Sequence, residues 1–542
     1  MSKTPGFTPE GPADVIETDY TVGQDNIQPQ VGPFGLDIHN PVFMISGLTI
    51  VAFVFFSLAL PEQAGALFGW LRPAVTSTFD SFFLLAGDIF VVVIVVIMVS
   101  PLGKVRIGGM DAKPDYSYTG WFAMLFAAGM GIGLMFFGVS EPISHFSSSI
   151  AEGAGAPDSW APLAGAAGNP AEAERLGMAA TIFHWGLHPW AVYAVVGLSL
   201  ALFAYNKGLP LSVRSMFYPI FGERVWGWTG HVIDTLAVFA TLFGLATSLG
   251  IGAEQANAGL EFLFGFPVND ASKVLLITGI TAVALISVLM GLDAGVKRLS
   301  EINMVLAALL LLFVILTGPT LAIITGFFGN LVAYAEHLPA LSNPFGRSDA
   351  NFSQGWTSFY WAWWISWSPF VGMFIARVSR GRTVREFIFS VLLIPSLVSV
   401  LWMTAFGGTA ISLVAGGVTE IADAALELKL FTMLDQLPLA GITSFIGIVL
   451  VIVFFVTSSD SGSLVIDTIT AGGKIDAPVS QRVFWATFEG LVAIALLLGG
   501  GLGALQAASV STGLPFAIVL LLGCYALVKG LMSEPRTRDG GS

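Results

Sequence analysis

The residues best suited to chemistry in this chain are aromatic. One segment reads Phe183-His-Trp-Gly-Leu-His-Pro-Trp-Ala-Val-Tyr193, and another reads Trp361-Ala-Trp-Trp-Ile-Ser-Trp-Ser-Pro-Phe370. At ~100° per residue on a helix, Trp185, Tyr193 and Trp190 fall near 0°, 80° and 140°, on one side, with Pro189 placed to bend the helix. Trp363, Trp367 and Trp364 share an arc of about 100° on the second helix, with Trp361 on its far side. Tryptophan and tyrosine also gather in belts at membrane interfaces and fill cores. These six, however, sit well inside apolar runs. So placed they suit a cage for an alkylated cation. A quaternary ammonium has no N–H to offer a carboxylate, but several π-faces hold it, at ~2 kcal/mol or more each once desolvated.

Two polar features accompany the aromatics. Ala127-Ala-Gly-Met-Gly-Ile-Gly-Leu134 reads either as close helix packing or as an unwound segment whose free carbonyls coordinate a cation. In Phe454-Phe-Val-Thr-Ser-Ser-Asp-Ser-Gly462 the hydroxyls either bond back to their own helix or offer hard oxygen ligands. Thr457 and Ser458, facing the carbonyls of the glycine segment, would suit Na+. Asp460 is an intramembrane ionisable group and a functional candidate, or a group that orients the ligands. Asp88, Glu141 and Asp234 also lie in or near apolar runs, without a specific role. His184 and His188 are spaced i, i+4 for metal ligation. The remaining histidines are scattered, at 39, 145, 231 and 337, and Cys524 is the single cysteine. No cluster completes a metal site, so a membrane enzyme is disfavoured, and a disulfide within the chain is impossible. A passive channel is disfavoured by the lack of charged pore-lining residues.

The elements that must position these groups are membrane helices. Of 542 residues, 55% are hydrophobic and 11% charged. Apolar runs long enough to span a bilayer fall at about 41–60, 82–101, 119–147, 174–205, 227–252, 272–292, 300–327, 352–378, 384–412, 437–466, 480–500 and 511–530. This gives an all-α membrane protein of twelve helices, since lipid leaves no partner for an unpaired backbone group. With both termini cytoplasmic, every Lys and Arg except Arg72, Arg175, Lys273, Arg347 and Lys429 falls on the cytoplasmic side, as the positive-inside rule demands. That places the chain in a bacterial inner membrane. The net charge of −13 argues against a nucleic-acid partner.

Residues 1–40 are polar, acidic and rich in Pro and Gly, and are expected to be a disordered cytoplasmic tail. The Ala/Gly/Pro-rich loop at 148–173 is expected to be a flexible insertion. Two leading helices with their loop occupy 41–118. Residues 119–330 and 331–530 then form two five-helix units, and 531–542 a short cytoplasmic tail. Gly120-Trp121 and Gly131 in the third run are matched at the same spacing by Gly355-Trp356 and Ser366 in the eighth. Both segments are expected to be broken in mid-membrane. Five is odd, so the second unit is inverted, as in secondary transporters that bind substrate near the midplane.

Together, Gly129-Met-Gly-Ile-Gly133, Trp185-Gly-Leu-His-Pro-Trp190 with Tyr193, Trp363-Trp-Ile-Ser-Trp-Ser-Pro-Phe370 and Thr457-Ser-Ser-Asp-Ser-Gly462 resemble the betaine/choline/carnitine transporters, over about residues 40–530. The resemblance implies a leucine-transporter-like fold, with inverted five-helix repeats after two leading helices, and a homotrimer. It implies Na+ symport of a zwitterionic methylated onium osmolyte, glycine betaine or a close analogue such as dimethylsulfoniopropionate. Carnitine, ectoine or choline carriage and sodium-independent exchange are the alternatives. The ammonium would sit among Trp185, Trp190, Tyr193 and Trp364, with Trp367 on the cytoplasmic path and Met130, Gly131 and Gly133 alongside. A sodium site would use the carbonyls of Ala127 and Met130, with Phe454, Thr457 and Ser458. A second would use Thr241 and Phe370, but Leu245 stands where a second hydroxyl is expected. Gly133 replaces an acidic residue of choline carriers, which favours a zwitterion. The short C-terminal tail argues against strong osmotic regulation through it.

Overall fold

The computed structural model describes residues 7–32, 34–151, 161–290, 293–347 and 349–536. Lys3, Glu152, Asp158 and Arg538 lie outside them, as does the middle of the loop at 148–173. After four two-residue strands, β1 (Asn26–Ile27), β2 (Gln30–Val31), β3 (Phe34–Gly35) and β4 (Ile38–His39), the chain is helical. Strand β1 pairs antiparallel with β4, and β2 with β3.

The first helices are α1 (Asn40–Ala59), α2 (Pro61–Val99), α3 (Tyr118–Gly129), α4 (Ile132–Ile150), α5 (Pro170–Trp185) and α6 (Leu187–Ala201). A short α7 (Tyr218–Phe221) precedes α8 (Trp228–Phe264), α9 (Asp270–Met290), α10 (Asp293–Thr317) and α11 (Thr320–Ser342). Then come α12 (Ala350–Phe352), α13 (Ser358–Val378), α14 (Val384–Ala415), α15 (Glu420–Asp423), α16 (Lys429–Asp435), α17 (Ala440–Thr470) and α18 (Val479–Met532).

Local chemistry sets the ends of these helices. Ser117 caps α3 by accepting the Gly120 N–H, and Asn169 caps α5 by accepting that of Glu172. Thr383 and Glu386 form a reciprocal capping box on α14. Gly265 closes α8 in the left-handed conformation, φ 66°.

Among the described residues, ten helices are long and apolar enough to cross a membrane, or eleven if the bent pair α3–α4 counts as one span. The expected boundaries need several corrections. The run at 300–327 is cut by Gly318 and Pro319, so α10 ends at Thr317 and α11 begins anew. The run at 174–205 is divided at Gly186. The last two runs form one helix, α18, with non-helical backbone at Gly500 and Gly501. Reaching twelve requires adding α13, dividing α18 there and setting α11 aside.

The break expected in the tryptophan-rich segment is absent: α13 runs unbroken from Ser358 to Val378. Pro369 cannot donate to the Ile365 carbonyl, but the Ser368 hydroxyl does, at 2.7 Å. The third run does break. Met130 and Gly131 take extended backbone, with ψ 133° and φ −174°, and the chain bends by 62°. Closely spaced glycines weaken the helix at that point.

The N-terminal segment also differs from expectation. Its acidic residues meet cations of the membrane domain: Glu10 pairs with Arg380 at 2.5 Å, Asp14 with Lys207 at 2.7 Å and Asp37 with Lys474 at 2.6 Å. Tyr20 stacks on Trp226, with ring centroids 4.2 Å apart. Lys207 also binds Glu534, at 2.7 Å. Residues near both termini therefore meet at one end of the bundle. Composition misses this because the partners are far away in sequence.

The core joins α4, α5, α6, α8, α13 and α14, where α13 packs on α6 and α8, and α4 on α5 and α14. Exposed apolar side chains such as Phe55, Val92, Ile286, Leu309 and Leu321 line the outer helices, as surfaces facing hydrocarbon require.

Candidate functional site

Trp185 ends α5, while Trp190 and Tyr193 lie on α6. Between them Gly186 takes φ −97° and ψ −124°, so the continuous-helix angles do not apply. A Cβ at Gly186 would stand 2.8 Å from the Ile182 carbonyl oxygen and 3.0 Å from the Tyr334 hydroxyl. The Leu187 N–H freed by the break donates to that hydroxyl, at 3.1 Å. The break keeps the three aromatics together by other means. Trp185 meets Trp364 edge-to-face with centroids 4.9 Å apart, Trp190 meets Tyr193 at 5.2 Å, and Tyr193 meets Trp364 at 6.4 Å. Near-perpendicular rings make corners, and corners enclose space.

The space is a cavity of about 70 Å³ beside the α3–α4 break. All eight residues expected around a substrate line it: Met130, Gly131, Gly133, Trp185, Trp190, Tyr193, Trp364 and Trp367. Trp363, Ser248 and Ser399 join them. Trp361 does not. It packs between Phe183 and His188, with centroids at 4.9 and 5.1 Å.

The polar edges of the indoles are bonded to protein groups. Trp364 donates to the His184 carbonyl at 2.9 Å, Trp367 to the Gly244 carbonyl and Ser248 hydroxyl at 3.0 Å each, and Trp363 to Ser248 at 3.2 Å. With their N–H groups engaged, these rings have faces and apolar edges left to offer. A Cβ at Gly133 would lie 2.6 Å from the Trp185 ring, whereas one at Gly131 meets nothing within 4 Å. The glycine at 133 thus admits the indole.

The expected ion ligands divide into two groups. Because α3 stops at Gly129, its last four carbonyls lack in-helix donors, and the Ala127 oxygen takes a 3.3 Å bond from the Met130 N–H. Helix α17, carrying Phe454, Thr457 and Ser458, packs against α4 and α8. The Thr457 hydroxyl donates to the Val453 and Phe454 carbonyls, at 3.1 Å each, which leaves its lone pairs free to accept an ion. For the second set, the Thr241 hydroxyl bonds back to Ala237 at 2.7 Å and Phe370 packs on Trp367 at 5.3 Å. The buried Leu245 side chain fills the space over Gly462, where a Cβ would meet it at 2.4 Å. That position holds packed hydrocarbon.

The sequence assigns Glu141 no specific role, yet it is the centre of a dense polar cluster beside the cavity. Its side chain is fully buried and takes bonds from Trp185, Tyr360, His184 and His145. The one local signal was His145 at i+4; the other partners come from α5 and α13. The histidines do not act as the spaced pair their sequence suggests. His184 faces Glu141 and Thr357, while His188 faces Asp88 at 3.0 Å. Asp234 pairs with Arg214 at 2.5 Å, both buried.

Contrary to the expected scatter, Glu141, His145 and His184 do gather, with ligand-type atoms within 4.8 Å of one another. The His184 Nδ1 to Glu141 Oε1 separation of 2.5 Å is a hydrogen bond. Two ligands on one tetrahedral ion, with bonds of about 2.0–2.2 Å, would stand more than about 3 Å apart.

A nearly all-helical molecule with membrane-length helices, and a broken helix lining an aromatic cavity, has the organisation of a secondary transporter. The chain belongs to the betaine/carnitine/choline family of transporters, whose model matches residues 41–536. It is a multi-pass membrane transporter and not an enzyme. It is 66% identical over 532 residues to a glycine betaine/proline/choline transporter of Vibrio parahaemolyticus, covering 97% of this chain and 96% of the relative. It is 55% identical over 530 residues to glycine betaine transporter 1 of the same organism, covering 96% and 98%. A glycine betaine/proline/choline/ectoine transporter from that organism is 51% identical over 528 residues, covering 95% and 91%.

Proposed function

We propose that this protein imports a zwitterionic methylated onium osmolyte of the glycine betaine type by Na+ symport, holding the onium head among Trp185, Trp190, Tyr193 and Trp364. The observation that carries the reading is the cavity itself. Four aromatic residues, three of them in edge-to-face contact series through Trp364, surround a small space with no carboxylate among its walls. Diffuse positive charge and apolar methyls suit such walls, whereas a primary amine would leave its N–H donors unpaired. The names of the relatives support betaine and extend the range to proline, choline and ectoine.

Sodium enters the proposal through the α3 carbonyls beside the cavity and the hydroxyls of α17, which packs on α4 and α8; both are hard oxygen groups. Here the ion is cargo, carried with the substrate. One ion per cycle is the favoured count, because Leu245 offers no oxygen. Insertion in a bacterial inner membrane with both termini cytoplasmic follows from the placement of Lys and Arg. Assembly as a homotrimer rests on the family resemblance.

Binding to purified protein in detergent tests the reading. Glycine betaine should quench tryptophan fluorescence saturably, more tightly in NaCl than in KCl. Dimethylsulfoniopropionate should compete well and choline less well. Failure of every onium compound to bind would contradict it.

A further inference from the structure

The faces of the aromatic cavity carry no formal charge, but a carboxylate stands at the edge of one of them. Glu141 Oε2 accepts the Trp185 indole N–H at 2.7 Å and the Tyr360 hydroxyl at 2.5 Å. Glu141 Oε1 lies 2.5 Å from His184 Nδ1 and 3.1 Å from His145 Nε2. The indole is a donor only, and each imidazole has a tautomer that donates. Four donors on two oxygens match the ionised, acceptor-only form of a carboxyl group; a protonated one would have to give a bond away. His184 is fixed in turn through Nε2 by the Thr357 hydroxyl, at 2.9 Å. It stacks on Tyr360, which lies nearly parallel to Trp364. One buried carboxylate thereby ties α4 to α5 and α13, the helices that carry Trp185 and Trp364.

We propose that Glu141 is the positioning residue of the onium site and sets its preference for charge: it fixes Trp185 through the indole N–H and makes that ring a stronger partner for a cation. The inference rests on reading the cavity as an onium site. A bond from an indole N–H to an anion is charge-assisted and draws electron density toward the ring. Cation–π attraction grows with the negative potential on the ring face. In a buried site the carboxylate's own charge is little screened, so the occupant of the cavity feels it across the indole. The methylated head never touches the acid, which it could not hydrogen-bond, and still gains from it. An uncharged head of the same shape gains nothing.

Dissociation constants for glycine betaine and 3,3-dimethylbutyrate, its isostere with carbon in place of nitrogen, test this in purified full-length protein. The isostere is measured by competition against labelled betaine. Glu141→Gln keeps the shape and removes the charge; Trp185→Phe keeps a ring and removes the N–H. Each should weaken betaine roughly tenfold, and together they should weaken it no more than about twofold beyond the worse single variant. Combined with Trp367→Phe, whose N–H goes to Gly244 and Ser248, the effect of Glu141→Gln should instead multiply in full. Glu141→Gln should also shrink the advantage of betaine over the isostere. Should Glu141→Gln fail to give monodisperse protein, Tyr360→Phe, which removes a donor from the same oxygen, takes its place in the cycle with Trp185→Phe and must likewise be non-additive.

The proposal is overturned if the loss is the same with and without the Trp185 N–H, or if betaine and the isostere lose equal factors, as they would from a purely structural carboxylate. Unchanged betaine binding in both Trp185→Phe and Trp364→Leu would instead overturn the onium site itself.

Discussion

At Trp364 the indole N–H is committed to the His184 carbonyl, so the ring serves the cavity with its face and apolar edge. Replacement by leucine keeps apolar bulk and removes the π-face. Trp364→Leu should therefore weaken betaine binding by roughly 1–2 kcal/mol, about tenfold. Trp361→Leu should leave the dissociation constant unchanged. It should instead lower the melting temperature, because that ring is buried against Phe183 and His188. Binding titrations and thermal unfolding on the same two preparations separate the roles. Equal losses of affinity would mean that the stripe is packing.

The proposed sodium would bind near Thr457. Thr457→Ala should raise the sodium concentration needed for half-maximal uptake several-fold, with little change in betaine affinity at saturating sodium; uptake against a sodium series checks it. Ring spacing brings out part of the cavity lining, because Trp190 with Tyr193 and Trp364 with Trp367 stand three apart and share a helix face, whereas Trp185 joins them across the break at Gly186. Glu141 was not legible as a hub. Its meaning depends on Trp185, His184 and Tyr360 arriving from other helices, and no local pattern announces that.

The elements are held as much by their ends as by their faces. Gly186 and the Met130–Gly131 break turn two helices at the depth of the cavity, which is how an interior site is reached from outside a straight helix. In the sequence the first of these breaks is marked only by Pro189, three residues further on and placed to bend the helix. The Trp-rich segment looked breakable and is not, since Ser368 supplies the bond that Pro369 withholds. Order in the N-terminal segment was hidden by composition, because its acidic residues find cations on distant loops.

At that end of the molecule His39, just ahead of α1, is a fully buried titratable group. Burial, with Arg214 and His231 beside it, pushes His39 down to about 3. Arg214 already donates toward its Nε2, at 3.4 Å, so a proton there would meet a cation. The folded state thus keeps His39 neutral, while the unfolded chain takes up a proton below about 6.5. This contribution to stability is whole above that pH and is lost as pH falls from about 6.5 towards 3. Melting curves of the wild type and His39→Gln should differ in slope with pH only within that window. Parallel curves across it would show that His39 is not the group responsible.

Seen as a whole molecule, the chain keeps its polar chemistry inside a jacket of apolar helices. Membrane character was plain from the apolar runs, which fix length and lipid exposure together. The division into exactly bounded spans was less plain. Apolar residues flow across Gly318-Pro319 and across Gly500-Gly501 without a change of composition, so runs and helices do not coincide there. Leu245 packs over Gly462, so a reversal-potential measurement should give one sodium per betaine; two would mean that other groups build a second site.

The decisive measurement is uptake of labelled glycine betaine into proteoliposomes driven by an inward sodium gradient. Sodium symport through the aromatic cavity requires accumulation above the external concentration with sodium, its collapse when potassium replaces sodium at equal osmolarity, and its loss in Trp364→Leu at substrate concentrations that saturate less than half of the wild type. Equal accumulation with and without sodium, or full activity in Trp364→Leu, would contradict it.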